Sequence, residues 1–106
     1  MAFFPLEKMS VLHDGYQKAF KVGRYELLLL QMDGEVYIIE NRCPHMDVAL
    51  TQAVQVANKN LRCRAHGIEF SLVSGKACGP LANQLDCLIK FPVVYDLGSA
   101  GVDIDA

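Results

Sequence analysis

Residues 25–40 read YELLLLQMDGEVYIIE, and the way this stretch folds decides the class of the chain. Its second half, Glu35-Val36-Tyr37-Ile38-Ile39-Glu40, is β-branched and aromatic, a composition that suits a pleated surface. Its first half carries four consecutive leucines, which on propensity alone would equally suit a helix. Spacing argues against the helix, because only residues 24–33 separate Gly23 from Gly34. Asp33-Gly34 between the halves is a tight hairpin signal. The second half then delivers the chain straight to Cys43.

Working outward, similar signals recur. Phe3, Phe4 and Leu6 surround Pro5 and read as a short edge strand, where a missing N–H is tolerated. His13-Asp14-Gly15 is a turn, with His13 expected to be exposed. Tyr16–Val22 alternates loosely and ends at Gly23. Beyond the hairpin, Asp47–Ala57 has few breakers and some helical character, with room for a turn of helix. Ala57-Asn58-Lys59-Asn60 is a turn leading into Leu61-Arg62-Cys63. Ile68–Val73 reads as a strand ending at Ser74-Gly75, and Cys78-Gly79-Pro80 opens a further loop. Leu88–Tyr95 reads as one strand interrupted by Pro92, and Val102–Ile104 as a closing strand after the glycine-rich 97–101. Short strands and glycine turns predict an all-β domain of stacked antiparallel sheets.

A chain of 106 residues makes one domain, 1–106, that buries roughly two-thirds of its unfolded surface. With 52% hydrophobic and 21% charged residues, disorder is not expected. A net charge of -2 gives no general attraction to nucleic acid or membranes. No apolar run approaches the roughly 20 residues of a membrane helix. The start, MAFFPLEK, lacks the pattern of a signal peptide, which predicts a cytoplasmic protein with reduced thiols.

The chemistry lies in residues 43–66. Cys43-Pro44-His45 opens this stretch and Cys63-Arg64-Ala65-His66 closes it. Zinc fingers usually group their ligands by type, two cysteines on one arm and two histidines on the other. Here each arm carries one of each, which suits a two-iron cluster with two thiolates on one iron and two imidazoles on the other.

Residues 63–80, CRAHGIEFSLVSGKACGP, extend the pattern. The chain resembles the Rieske [2Fe–2S] proteins, whose ferredoxins typically read C-P-x-H-G-x-x-F-D-x-x-T-G-x-x-x-x-x-P here. Ser71 and Ser74 depart from that pattern at Asp and Thr positions, in a turn and not at a ligand. The resemblance implies the Rieske fold, a β base holding a small cluster-binding subdomain at about residues 42–80. It implies Cys43 and Cys63 on one iron, His45 and His66 on the other, and one cluster per chain. It further implies a one-electron carrier, not an enzyme by itself. Electrons would come from an NAD(P)H-dependent flavoprotein reductase and pass to a terminal oxygenase, as in multicomponent aromatic-ring dioxygenase systems. Respiratory Rieske proteins add a disulfide and two sulfur-directed hydroxyls. The matching positions here are Val48 and Ala65, then Ile68 and Phe70. The resemblance therefore implies a potential near the low end of the Rieske range, roughly -150 mV rather than about +300 mV. Met46, Ala65 and Pro80 are candidate apolar docking neighbours, with Arg42, Arg62 and Arg64 as candidate docking cations.

Two other readings stand beside this one: the small subunit of a nitrite reductase, and a zinc-stabilised interaction module. Cys78 and Cys87 are expected to be small buried hydrophobes, and the arginines most simply form a solvated face.

Overall fold

The computed structural model describes residues 2–43, 48–57, 59–63, 67–78 and 87–105. These contain ten strands and no helix: β1 (Ala2–Lys8), β2 (Gln17–Val22), β3 (Tyr25–Met32), β4 (Glu35–Glu40), β5 (Val54–Val56), β6 (Asn60–Arg62), β7 (Glu69–Ser71), β8 (Lys90–Phe91), β9 (Val94–Asp96) and β10 (Ser99–Ile104). All pairings are antiparallel. They form three sheets, ordered β1-β10-β9, β2-β3-β4-β8 and β5-β6-β7.

The leucine run is β3, at the centre of the four-stranded sheet. It reads as continuously apolar because both of its faces are covered. Side chains alternate along a strand, so Leu27 and Leu29 enter one apolar cluster while Leu28 and Leu30 enter another. The first cluster joins them to Ile38, Ala100 and Val102, with Phe4 and Phe91 packed against it. The second joins Tyr37 and Ile39 to Leu61, Phe70 and Leu72 of the β5-β6-β7 sheet and its turn. Each fully buried leucine stabilises the fold by about 1.5–3 kcal/mol relative to an exposed one. The β3–β4 turn is held as its sequence predicts, with positive φ at both Asp33 (53°) and Gly34 (79°). The Asp14 carboxylate accepts from the Gly34 amide at 2.8 Å and from Gln31 Nε2 at 3.0 Å.

β4 and β8 pair directly, and the Glu40 amide donates to the Ile89 carbonyl at 2.8 Å. Residues 41–89 are thus an excursion that leaves and re-enters the central sheet at one place and carries the third sheet with it. β1 lies at a sheet edge with a register shift between Pro5 and Glu7, as a proline-bearing strand should. Opposite Pro5 stands Gly101, where a Cβ would collide with the Phe4 carbonyl oxygen.

Three expectations need correction. No helix forms in 48–57, where a turn closed by Ala53 N–H to the Leu50 carbonyl (2.9 Å) leads into β5. Residues 88–95 are not one strand: β8 belongs to the central sheet and β9 to the β1-β10-β9 sheet. Pro92 and Val93 carry the chain between layers, since Pro92 has no N–H to continue either ladder. The strand expected over 68–73 is confined to Glu69–Ser71, followed by a turn.

Candidate metal centre

Cys43 follows β4 by three residues, and Cys63 follows β6 directly. Both side chains are buried, at 1% and 2% exposure, and both belong to the second apolar cluster. Neither is in a disulfide. The two loops start alike. The Cys43 amide donates to the Val48 carbonyl at 2.7 Å and the Cys63 amide to the Ile68 carbonyl at 2.9 Å, the same five-residue step. In the second loop the Gly67 amide also donates back to the Cys63 carbonyl at 2.8 Å. Gly67 has φ +67°, and its missing Cβ would meet nothing within 4 Å, so backbone conformation rather than space calls for glycine there.

His45 and His66 lie outside the described residues, as do Met46, Arg64, Ala65 and Pro80. Among the described residues no group of three or more metal-binding side chains comes together. Of the four predicted ligands, the structure places the two cysteines.

Val48 is exposed, Ile68 packs against the second cluster, and Phe70 is fully buried in that cluster, of which both cysteines are also members. Neither Ile68 nor Phe70 offers a hydroxyl to a sulfur. The two serines that depart from the family pattern cap the turn after β7. Ser71 Oγ accepts from the amides of Val73 (3.2 Å) and Ser74 (3.3 Å), and Ser74 Oγ accepts from the Lys76 amide (3.2 Å). This is the local side-chain-to-backbone bonding that Asp and Thr also make. Gly75, at φ +81°, then accepts at its carbonyl from the Leu88 amide at 2.7 Å, and a Cβ on it would meet the Leu88 oxygen at 2.9 Å.

The charges beside the cysteines are matched within the chain. Arg42 Nε lies 2.8 Å from Glu40, and Arg62 lies 2.9 Å from Glu69. Arg62 and Asn60 together hold the Glu69 carboxyl below its ordinary pKa. Hydrogen bonds from Tyr37 and Lys59 do the same for Glu35, and burial beside Glu35 pushes Tyr37 up to about 12. Arg42 and Arg62, expected as docking cations, thus each engage a glutamate of their own chain. Cys78 and Cys87 are exposed rather than buried. Ala77, bridged to Phe70, takes the inward position, so alternation turns Cys78 outward, and Leu88 takes the inward position beside Cys87. His13 is exposed in its turn, as expected.

Sequence reasoning missed two side-chain amides that bind the exit of the first loop. Asn41 Oδ1 accepts from the Leu50 amide at 2.7 Å, and Gln17 Nε2 donates to the carbonyls of Thr51 and Ala53, both at 2.8 Å. The only sequence signal was an asparagine two residues before Cys43. Nothing in the sequence marked Gln17.

The family model described as the Rieske [2Fe-2S] domain matches residues 2–92. The ferredoxin component of the alkene monooxygenase system of Xanthobacter autotrophicus is 34% identical over 87 residues, covering 82% of this chain and 69% of that protein. The ferredoxin of carbazole 1,9a-dioxygenase from Nocardioides aromaticivorans superposes with a TM-score of 0.82 at 22% identity, covering 96% and 97% of the two chains. A chain in the reduced complex between oxygenase and ferredoxin of carbazole 1,9a-dioxygenase superposes at 0.83 with 23% identity, over 98% of this chain and 29% of that one. At these identities the superpositions show the fold. Two unbridged thiols in a single apolar cluster, each opening a loop of matching geometry, fit a group bound through paired thiolates.

Proposed function

We propose a function from the premise that this chain belongs to the Rieske [2Fe–2S] family: it is a one-electron carrier that takes electrons from an NAD(P)H-dependent flavoprotein reductase and passes them to a terminal oxygenase. Cys43 and Cys63 hold one iron and His45 and His66 the other, in a cluster-binding subdomain of about residues 42–80 within a single 1–106 domain. The bound group supplies one-electron redox chemistry, with no bond made or broken in a substrate. The chain supplies the environment. Phe70, Leu61 and Leu72 exclude water from the thiol side. Reduction adds negative charge, and hydrogen bonds to sulfur would favour it. Ile68 and Phe70 provide none from their side chains, which supports a potential near the low end of the Rieske range, roughly -150 mV. The four cysteines, none of them bridged, suit a reducing cytoplasm.

The observation that carries this reading is the pair of buried, unbridged cysteines at the heads of two matching loops. A redox titration tests it, and a clearly positive midpoint would contradict the role given to Ile68 and Phe70. Reconstitution tests the partners: turnover of a reductase–oxygenase pair is expected to depend on this protein. If no pair responds, the oxygenase assignment falls.

One observation favours a second reading of the partner. The relative named for an alkene monooxygenase system shares 34% identity over 87 residues, above the 29% over 80 residues of a 3-phenylpropionate/cinnamic acid dioxygenase ferredoxin subunit. The terminal oxygenase is then an alkene monooxygenase rather than an aromatic-ring dioxygenase. Running both oxygenase types in the same assay decides between them.

A further inference from the structure

We infer that Gln17 and Asn41 are positioning residues for the metal centre, their side-chain amides fixing the exit of the first ligand loop and through it the place of Cys43. This rests on the reading of Cys43 as an iron ligand. The two ligand loops are closed differently. The second is closed by a ladder, since β6 leads into Cys63, β7 follows Ile68, and the two strands pair. Among the described residues the first shows no such ladder. No described residue between Cys43 and Val54 is in a strand, and backbone bonds between described residues there include Cys43 to Val48 and Ala53 to Leu50.

Side chains take over. Asn41 is itself anchored by its amide to the Glu26 carbonyl at 2.8 Å. Its Oδ1 accepts from the Leu50 amide at 2.7 Å and its Nδ2 donates to Thr51 Oγ1 at 2.9 Å. Gln17 on β2 turns Nε2 toward three carbonyls, those of Thr51 (2.8 Å), Ala53 (2.8 Å) and, longer, Leu50 (3.4 Å). Its Oε1 accepts from Gln55 Nε2 at 3.1 Å, which also reaches the Tyr16 carbonyl at 3.3 Å. Both amides thus act on Leu50, a fully buried side chain that shares the apolar cluster with Cys43 and Cys63. The first loop is tied to the central sheet, while the second rides on the small sheet.

The chemistry gives a sign test. Gln17 Nε2 is a pure donor facing carbonyl oxygens, so a carboxylate there would oppose them, whereas methionine would merely be silent. At position 41 an aspartate keeps the acceptor for the Leu50 amide and can accept from the Thr51 hydroxyl. The holoprotein is compared as wild type, Gln17→Glu, Gln17→Met, Asn41→Asp and Asn41→Leu. Two quantities are read: the width of the reduced-state EPR lines, and the rate of iron loss to a chelator. Gln17→Glu is expected to broaden the lines most and to speed iron loss about tenfold, the factor expected from losing one or two ordinary hydrogen bonds. Gln17→Met and Asn41→Leu fall between it and wild type, and Asn41→Asp stays within about twofold of wild type. Equal behaviour of Gln17→Glu and Gln17→Met, or of Asn41→Asp and Asn41→Leu, overturns the inference. If Gln17→Glu yields no folded protein, Thr51→Val removes one partner of Asn41 more gently. A modest acceleration of iron loss then supports the clamp, and none overturns it. A wild-type protein without a Rieske signal fails earlier, at the ligand reading, so the two failures are distinct.

Discussion

The two faces of the central sheet are built from the same strand and do different work. Toward the β1-β10-β9 sheet, Leu27, Leu29 and Ile38 meet Ala100 and Val102 in a cluster without a buried thiol. Toward the excursion, Leu28, Leu30 and Ile39 meet Leu50, Leu61, Phe70, Cys43 and Cys63. The first face holds the two base sheets together. The second face is the floor beneath Cys43 and Cys63. One run of leucines thus serves stability on its odd-numbered positions and site placement on its even-numbered ones, and substitutions can separate the two.

The largest expected effect is at the thiols. Cys63→Ala should abolish visible absorption and the reduced-state EPR signal, because one iron loses a thiolate. Cys78→Ala should leave both intact, because Cys78 is exposed and lies outside the apolar cluster that holds Cys43 and Cys63. Next come the leucines. Leu28→Ala and Leu29→Ala should each cost about 2–5 kcal/mol in denaturant unfolding. Only Leu28→Ala should also speed loss of iron from the folded protein. Equal loss rates for both would dissolve the distinction between the faces.

A smaller effect is expected at Gly101, on the base side, where an alanine Cβ would press on the Phe4 carbonyl. Gly101→Ala should cost about 1–3 kcal/mol through forced backbone shifts. The reduction potential should stay unchanged.

The mildest effects come from pH. Glu7 is held below its ordinary pKa by the Tyr16 hydroxyl at 2.6 Å, and Asp14 by Gln31 and the Gly34 amide. With Glu35 and Glu69 also lowered, these carboxylates contribute stability above the ordinary carboxylate range and lose it as pH falls through their folded values. Tyr16 and Tyr37 are raised, so their contribution is complete below about pH 10 and is lost as pH climbs through their folded values. Melting temperature should therefore fall at both extremes. Glu7→Gln and Glu69→Gln should each flatten the acid limb. Only Glu69→Gln, which releases Arg62 next to Cys63, should raise the reduction potential.

Much of this was legible in the sequence, and for local reasons. Asp33-Gly34 announces its hairpin because few residues accept positive φ in succession. The paired Cys and His spacings announce a metal because ligand chemistry is carried by residue type. What was not legible depends on distant partners. The leucine run was ambiguous because its pattern reports burial on two faces, and the second face is supplied by residues 50–88. Pro92 marked an interruption, but only the pairings of β4 and β10 reveal that it separates two sheets. Cys78 and Cys87 were misread because their inward neighbours, Ala77 and Leu88, take the buried positions. The Gln17 contact to residues 50–53 joins positions more than thirty apart, and no local pattern encodes it.

The central claim is that residues 43–66 hold a Rieske cluster through two cysteines and two histidines. The most direct measurement is metal and sulfide analysis of the purified protein together with EPR of its dithionite-reduced form. The account predicts a coloured protein with iron and acid-labile sulfide in equal amounts, and a signal whose average g lies below that of all-cysteine clusters. A colourless protein carrying stoichiometric zinc and giving no reduced-state signal would contradict it.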